Sequence, residues 1–170
     1  LWNGNRHVIM AASQIDQFGN QNFACIGEHA KPKAQLLGMR GAPGNTISHT
    51  TSYWVANQTA KVFVQNVDVV SGVGHDRAAK LNPASTQGHD VRLVISNLAV
   101  YDFETPDKRM RLKALHPGVT VDQVVENTGF ELVIDGDIPE TRLPTSDELA
   151  LIRDTIDPKG FLSRDVPNPE

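Results

Sequence analysis

Asp90-Val91-Arg92-Leu93-Val94-Ile95-Ser96-Asn97-Leu98-Ala99-Val100-Tyr101-Asp102-Phe103 holds two apolar runs on either side of Ser96-Asn97. Each run has strand length, and Ser and Asn turn a chain by bonding their own backbone, so the stretch predicts two strands meeting at a corner. After a Thr105-Pro106-Asp107 turn, Arg109-Met110-Arg111-Leu112-Lys113-Ala114-Leu115 alternates polar with apolar, the pattern of a half-exposed strand. Working outward, His7-Val8-Ile9-Met10-Ala11-Ala12 reads as a buried strand, and Asp16-Gln17-Phe18-Gly19-Asn20 as a tight turn before a strand over residues 22–26. Residues 33–37 and 61–67 are further strand candidates, and residues 72–87, rich in Gly, Asp, Asn and Pro, form a long connection. Helices are marked by their starts. Asn45 or Thr46 is expected to cap a short helix running through Ser48, Thr50 and Tyr53. Thr120 with Gln123, and Thr145 with Glu148, make capping boxes. The first precedes Val121, Val124 and Val125; the second opens a helix over residues 146–156 bearing Leu149, Ile152 and Ile156, ended by Asp157-Pro158.

The 170 residues, 39% of them hydrophobic, suffice for one core. A net charge of -4 without a lysine or arginine run gives no footprint for a nucleic acid, and no apolar stretch is long enough to cross a bilayer. Cys25 is the only cysteine, which excludes a disulfide framework and suits a small buried residue in a reducing cytoplasm. The chain opens on Leu1-Trp2-Asn3-Gly4-Asn5 and enters a strand almost at once. We therefore expect residues 1–162 to be part of a domain whose first portion lies upstream, with residues 163–170 as a fraying tail.

Leu36-Leu37-Gly38-Met39-Arg40-Gly41-Ala42-Pro43-Gly44-Asn45 is the candidate for chemistry. Glycines bring backbone N–H groups close to a ligand, and Arg40 adds a permanent charge with a carboxylate-matching fork; the alternative is an ordinary turn. His49 follows this loop and is expected to face the same pocket with Asn45, Thr50 or Ser52. His7, His29, His75, His89 and His116 stand isolated, without metal-ligand spacing, and no metal is expected. Asp68 and Asp102 end apolar runs and read as strand-end turns, and Glu28 as a rim residue.

Four motifs occur in order: Gln14-Ile15-Asp16-Gln17-Phe18-Gly19-Asn20-Gln21-Asn22, the loop from Gly38 to Asn45, Ser96-Asn97-Leu98-Ala99-Val100-Tyr101-Asp102, and His116-Pro117-Gly118-Val119-Thr120-Val121 leading to Thr128-Gly129-Phe130. Together they resemble the beta subunit of a class I CoA-transferase, over nearly the whole chain from Arg6 to Leu162. Within that family the likeness is greatest to beta subunits of the actinobacterial CoA-thioester hydrolases that open the last steroid rings in cholesterol degradation. The resemblance implies an α/β fold, an open and mostly parallel sheet flanked by helices, paired with a homologous alpha subunit in an alpha2beta2 heterotetramer of the cytoplasm. No tightly bound cofactor is implied, coenzyme A being part of the acyl-CoA substrate, and neither nucleic acid nor membrane is a partner.

Transferases of this type attack the acyl-CoA with a glutamate and hold the oxyanion on N–H groups of the glycine loop. Two departures stand out. The loop's usual form, roughly Gly-x-Gly-Gly-Ala, has glycine where this chain has Arg40. The nucleophilic glutamate of glutaconate-type beta chains would lie before Leu1, and in the ring hydrolases the working glutamate is expected on the alpha subunit. The resemblance thus implies ring-opening hydrolysis of a cyclic acyl-CoA by retro-Claisen cleavage. Arg40 would bind a substrate carboxylate or enolate, and Gly38, Gly41, Gly44, Asn45 and His49 would line the substrate site. Ordinary CoA transfer between acids, and a non-catalytic subunit that completes its partner's site, stay open beside it.

Overall fold

The computed structural model describes residues 6–162. Its centre is a five-stranded sheet in the order β1-β6-β7-β8-β9, built from β1 (His7–Ala11), β6 (Thr50–Val55), β7 (Asp90–Ser96), β8 (Ala99–Asp102) and β9 (Arg111–Leu115). β1, β6 and β7 run parallel, and β8 and β9 add antiparallel strands through the corner at Ser96-Asn97 and the turn after Asp102. The sheet is therefore mixed. A shift in the β6–β7 register makes Val91 and Leu93 successive partners of Thr51 and Ser52, which puts both Val91 and Val94 on the buried face.

Two small ribbons precede α1: β2 (Gln14–Ile15) with β3 (Gln21–Asn22), and β4 (Cys25–Ile26) with β5 (Ala34–Gln35). Gly19 takes φ 79° in the first of these turns, the left-handed position expected of it. α1 (Ala42–Ser48), α2 (His75–Ala78) and α3 (Val121–Glu126) follow, and α4 (Ser146–Ala150) continues as a π-helix through Leu151–Ile156. Both capping boxes form as read.

One face of the sheet carries the core. Tyr53, Val55, Val91, Val94, Tyr101 and Leu112 pack there against Ile15, Phe63, Met110, Val124 and Phe130. On the other face Ile9 and Trp54 are 69% and 40% exposed, and Ile152 and Ile156 of the last helical segment are exposed as well. Among the described residues no helix is long and apolar enough to cross a membrane.

The strand at His7–Ala11 is an edge strand of alternating exposure rather than a buried one, and further expectations fail for local reasons. Residues 61–67 form no strand, because the N–H groups of Val62 and Phe63 both turn back to Thr59 O; only a bridge between Ile15 and Phe63 remains. The short helix starts earlier than expected, with Gly41 at its N-cap and Pro43 in its first turn, so Asn45 and Thr46 lie inside it. Thr50 and Tyr53 are strand, where β-branched and aromatic side chains fit the pleat. Val125 also turns outward, leaving Val124 as the buried residue of α3. The expectations for residues 1–5 and 163–170 lie outside the described residues.

Candidate functional site

The glycine loop is pinned where it begins. Leu36 N–H donates to Ala24 O at 2.8 Å and Gly38 N–H to Phe23 O at 2.8 Å. Phe23 is itself held, its N–H donating to Ser71 Oγ at 2.6 Å while that hydroxyl donates to Gln21 O at 3.2 Å. A Cβ on Gly38 would lie 1.9 Å from Phe23 Cδ1 and 2.6 Å from its Cβ, so position 38 is glycine to let Phe23 pack. Gly38→Ala is expected to cost about 1–3 kcal/mol through overpacking. Urea unfolding checks this, and an unchanged midpoint would show that Phe23 yields freely.

The other two glycines have no such reason. A Cβ on Gly41 would meet only Asn45 Nδ2, at 4.0 Å, and one on Gly44 would meet nothing within 4 Å. Neither has positive φ. Both sit where α1 begins, and the N–H groups of Gly41, Ala42 and Gly44 have no acceptor among the described residues, as the first turn of a helix dictates. Asn45 lies beside Gly41, its Nδ2 3.5 Å from Met10 Sδ. Arg40 is exposed, and no acceptor among the described residues holds its guanidinium.

The structure thus brings together Arg40, Gly41, Gly44 and Asn45 from the expected set. It does not bring Gly38 with them as a donor, because Phe23 O already takes that N–H. His49 is separated too. It follows the last turn of α1, about 10 Å of helix from the Arg40 end at 1.5 Å per residue, and its ring is buried at 4% exposure with no partner for Nδ1 among the described residues. Nor do the loop glycines owe their identity to left-handed backbone, since none of the three adopts it.

Beneath the loop lies a polar network that sequence reading marked only as a motif. Asp16 accepts from the N–H groups of Phe18 and Asn20 and from Asn20 Nδ2, which also donates to Asp76. Burial nevertheless raises the Asp16 carboxyl above the usual range, with the Asp76 charge adding to it. Gln14 Nε2 donates to Asp68 Oδ2, Asn22 Nδ2 to Gln14 Oε1, and Gly27 N–H to Asp68 Oδ2. Asp68 therefore clamps the segment before the loop rather than facing a ligand. Asp102 is also structural: burial pushes its carboxyl up, but a two-bonded Arg111 guanidinium and Lys113 bring it below the ordinary value. His7, His75, His89 and His116 each bond Ser52, Val91 O, Thr46 O and Ser96 O respectively, and burial lowers His75 below the ordinary histidine value. Glu28 and His29 are exposed, and Cys25 is buried.

Residues 2–127 match the family described as Coenzyme A transferase. The chain belongs to the coenzyme A transferase family. This family member is 51% identical over 163 residues to the Cholesterol ring-cleaving hydrolase IpdB subunit of Rhodococcus jostii, covering 96% of the chain and 64% of that protein. The crystal structure of Rhodococcus jostii IpdAB superposes with a TM-score of 0.88 at 47% identity, over 98% of the chain and 67% of the other. Glutaconate coenzyme A-transferase from Acidaminococcus fermentans superposes at 0.82 and 27% identity, over 96% of the chain and 62% of the other. The chain thus spans just under two thirds of the length of that hydrolase subunit.

Proposed function

We propose that the chain is part of the beta subunit of a heteromeric hydrolase that opens a ring of a cyclic acyl-CoA in steroid degradation. The observation that carries this reading is the pair Gly41 and Gly44: their own fold asks for no glycine, yet they bare free N–H groups beside an unpaired arginine. Backbone left uncovered at a helix start suits the approach of a substrate carbonyl or carboxylate. Similarity to the ring-cleaving hydrolase subunit supports the choice of reaction.

A glutamate of a homologous alpha subunit would take a proton from water, and the hydroxide would add to a ring ketone. The bond between that carbon and its neighbour breaks, the electron pair passes to an enolate, and the enolate regains the proton. One water is consumed, giving a carboxylate and a ketone while the thioester stays intact. Arg40 would hold the carboxylate or enolate, the N–H groups of Gly41 and Gly44 would hold the oxyanion, and Asn45 would line the site. Coenzyme A enters as part of the substrate, with no separate cofactor, in an alpha2beta2 complex of the cytoplasm.

CoA transfer is the second reading, favoured by the likeness to the glutaconate enzyme. The full alpha–beta complex, given a cyclic 1,3-diketone acyl-CoA, is expected to add one water and yield a ring-opened acyl-CoA bearing one new carboxylate and the remaining ketone. Exchange of CoA onto acetate or succinate, with a hydroxylamine-trapped glutamyl adduct, would establish transfer instead. Undiminished activity of the alpha chain alone would reduce this chain to a scaffold.

A further inference from the structure

His75 and His89 stand near the two ends of the long connection over residues 72–89, and their rings meet edge to face, with centroids 5.0 Å apart and planes at 79°. Each ring is tied to a carbonyl. His75 Nε2 lies 2.8 Å from Val91 O, and His89 Nδ1 lies 2.7 Å from Thr46 O. A carbonyl oxygen only accepts, so these two nitrogens carry the protons of the neutral rings. Phe103 packs on His75 as well, its ring centroid also 5.0 Å away.

The ties fasten the connection to what it crosses. Thr46 lies in the last turn of α1, and its carbonyl is one of those that a helix end leaves without an internal partner. Val73 N–H donates to Thr46 Oγ1 at 3.0 Å, so this one residue of α1 holds the connection at both ends. A Cβ on Gly88 would lie 2.5 Å from Ser48 O, so glycine there lets the chain press on the end of α1 and bring His89 to Thr46.

We propose that His75 and His89 form a pH-sensitive clasp that fastens this connection to α1 and lets go when His75 takes up a proton. The seat suits the neutral ring. Burial between the two aromatic neighbours holds His75 below the ordinary histidine value, with His89 and Lys108 acting in the same direction. Asp90 acts the other way, but its carboxylate already accepts from Thr50 Oγ1 and Arg92. Asp76, beside His75 on α2, accepts from Asn20 Nδ2, which also donates to Asp16. Arg77 on the same helix adds a positive charge, and His49, which precedes the Asp90 partner Thr50, supplies no negative one. Free histidine takes its proton at about pH 6.5, so below that pH opening takes up a proton that folded His75 refuses. The clasp therefore holds above about pH 6.5 and yields as the pH falls.

Hydrogen exchange of the intact alpha–beta complex tests this. It is read at the Val73, His75 and Ala78 amides, corrected for the intrinsic rate at each pH, and compared with amides paired between β7 and β8. The connection is expected to open about tenfold more often at about pH 5.5 than at about pH 7.5, one proton being taken up per opening, and more often than the sheet at both. His75→Gln keeps a donor for Val91 O without a titrating ring. It is expected to abolish the acid dependence while leaving opening at about pH 7.5 within about threefold of wild type. A wild-type connection whose opening does not rise with acid, or that opens only together with the sheet, overturns the clasp whether or not the variant folds. A folded His75→Gln complex that keeps the wild-type acid dependence overturns it too, assigning that dependence to another group.

Discussion

Arg40→Ala, assayed in the alpha–beta complex, should lower kcat by about a hundredfold to a thousandfold, the range for losing a group that stabilises developing charge. KM should change far less, because the guanidinium meets its full counter-charge only as the enolate forms. Stability should hold within about 0.5 kcal/mol, since the side chain is exposed and no described residue holds it. Arg40→Lys is expected to recover only part of the rate, because a point charge lacks the planar fork that grips two oxygens at once. Steady-state kinetics beside a thermal melt checks these expectations together. A full-rate Arg40→Ala enzyme would remove the arginine from the mechanism and leave the charge at position 40 as a surface feature.

How much of this was legible in the sequence depends on how local each signal is. The two capping boxes, the Asp16-Asn20 turn and the corner at Ser96-Asn97 are decided within a few residues, and each forms where it was read. The strand expected at residues 61–67 was misread because only Phe63 of the run is buried, stacking with Phe130 and tilting against Tyr101, while Val62 and Phe63 turn their N–H groups back to Thr59 O. The start of α1 was misplaced because Pro and Gly read as breakers; a first helical turn admits proline, whose missing N–H has no partner there in any case. A better signal was present in Thr50-Thr51-Ser52-Tyr53-Trp54-Val55, whose composition is that of a strand.

The site was legible as a place and not as a division of labour. Three glycines in seven positions look alike in sequence, and what separates them is remote from the loop. Phe23 decides Gly38, and no described residue decides Gly41 or Gly44. Phe23 and Ser71 carried no motif of their own, and only their placement against Gly38 and Gln21 reveals that they fix the loop. Gln14, Asn20 and Asn22, which read as part of a motif carrying the family resemblance, turn their polar groups inward to one another and to Asp16 and Asp68, while Gln21 Nε2 donates to Ala11 O. Their chemistry is spent on holding the segments beneath the loop in register.

The sharpest separation of fold from function comes from Gly44→Ala. Inside a helix, alanine is favoured over glycine by about 0.5–1 kcal/mol, and an added Cβ at position 44 would meet no atom within 4 Å. The melting temperature should therefore rise, by about 2–4 °C per kcal/mol for a chain of this size. Activity should move the other way. A methyl group beside the free N–H groups of the first turn would hold a substrate oxygen off them, and displacement by about 1 Å can cost a hundredfold in rate. A variant more stable and much less active is what a glycine kept for a ligand predicts, whereas Gly38→Ala should lose stability because its glycine is kept for Phe23. If Gly44→Ala gains stability with turnover intact, the bared backbone is not the substrate cradle, and if it loses stability the helix itself requires that glycine.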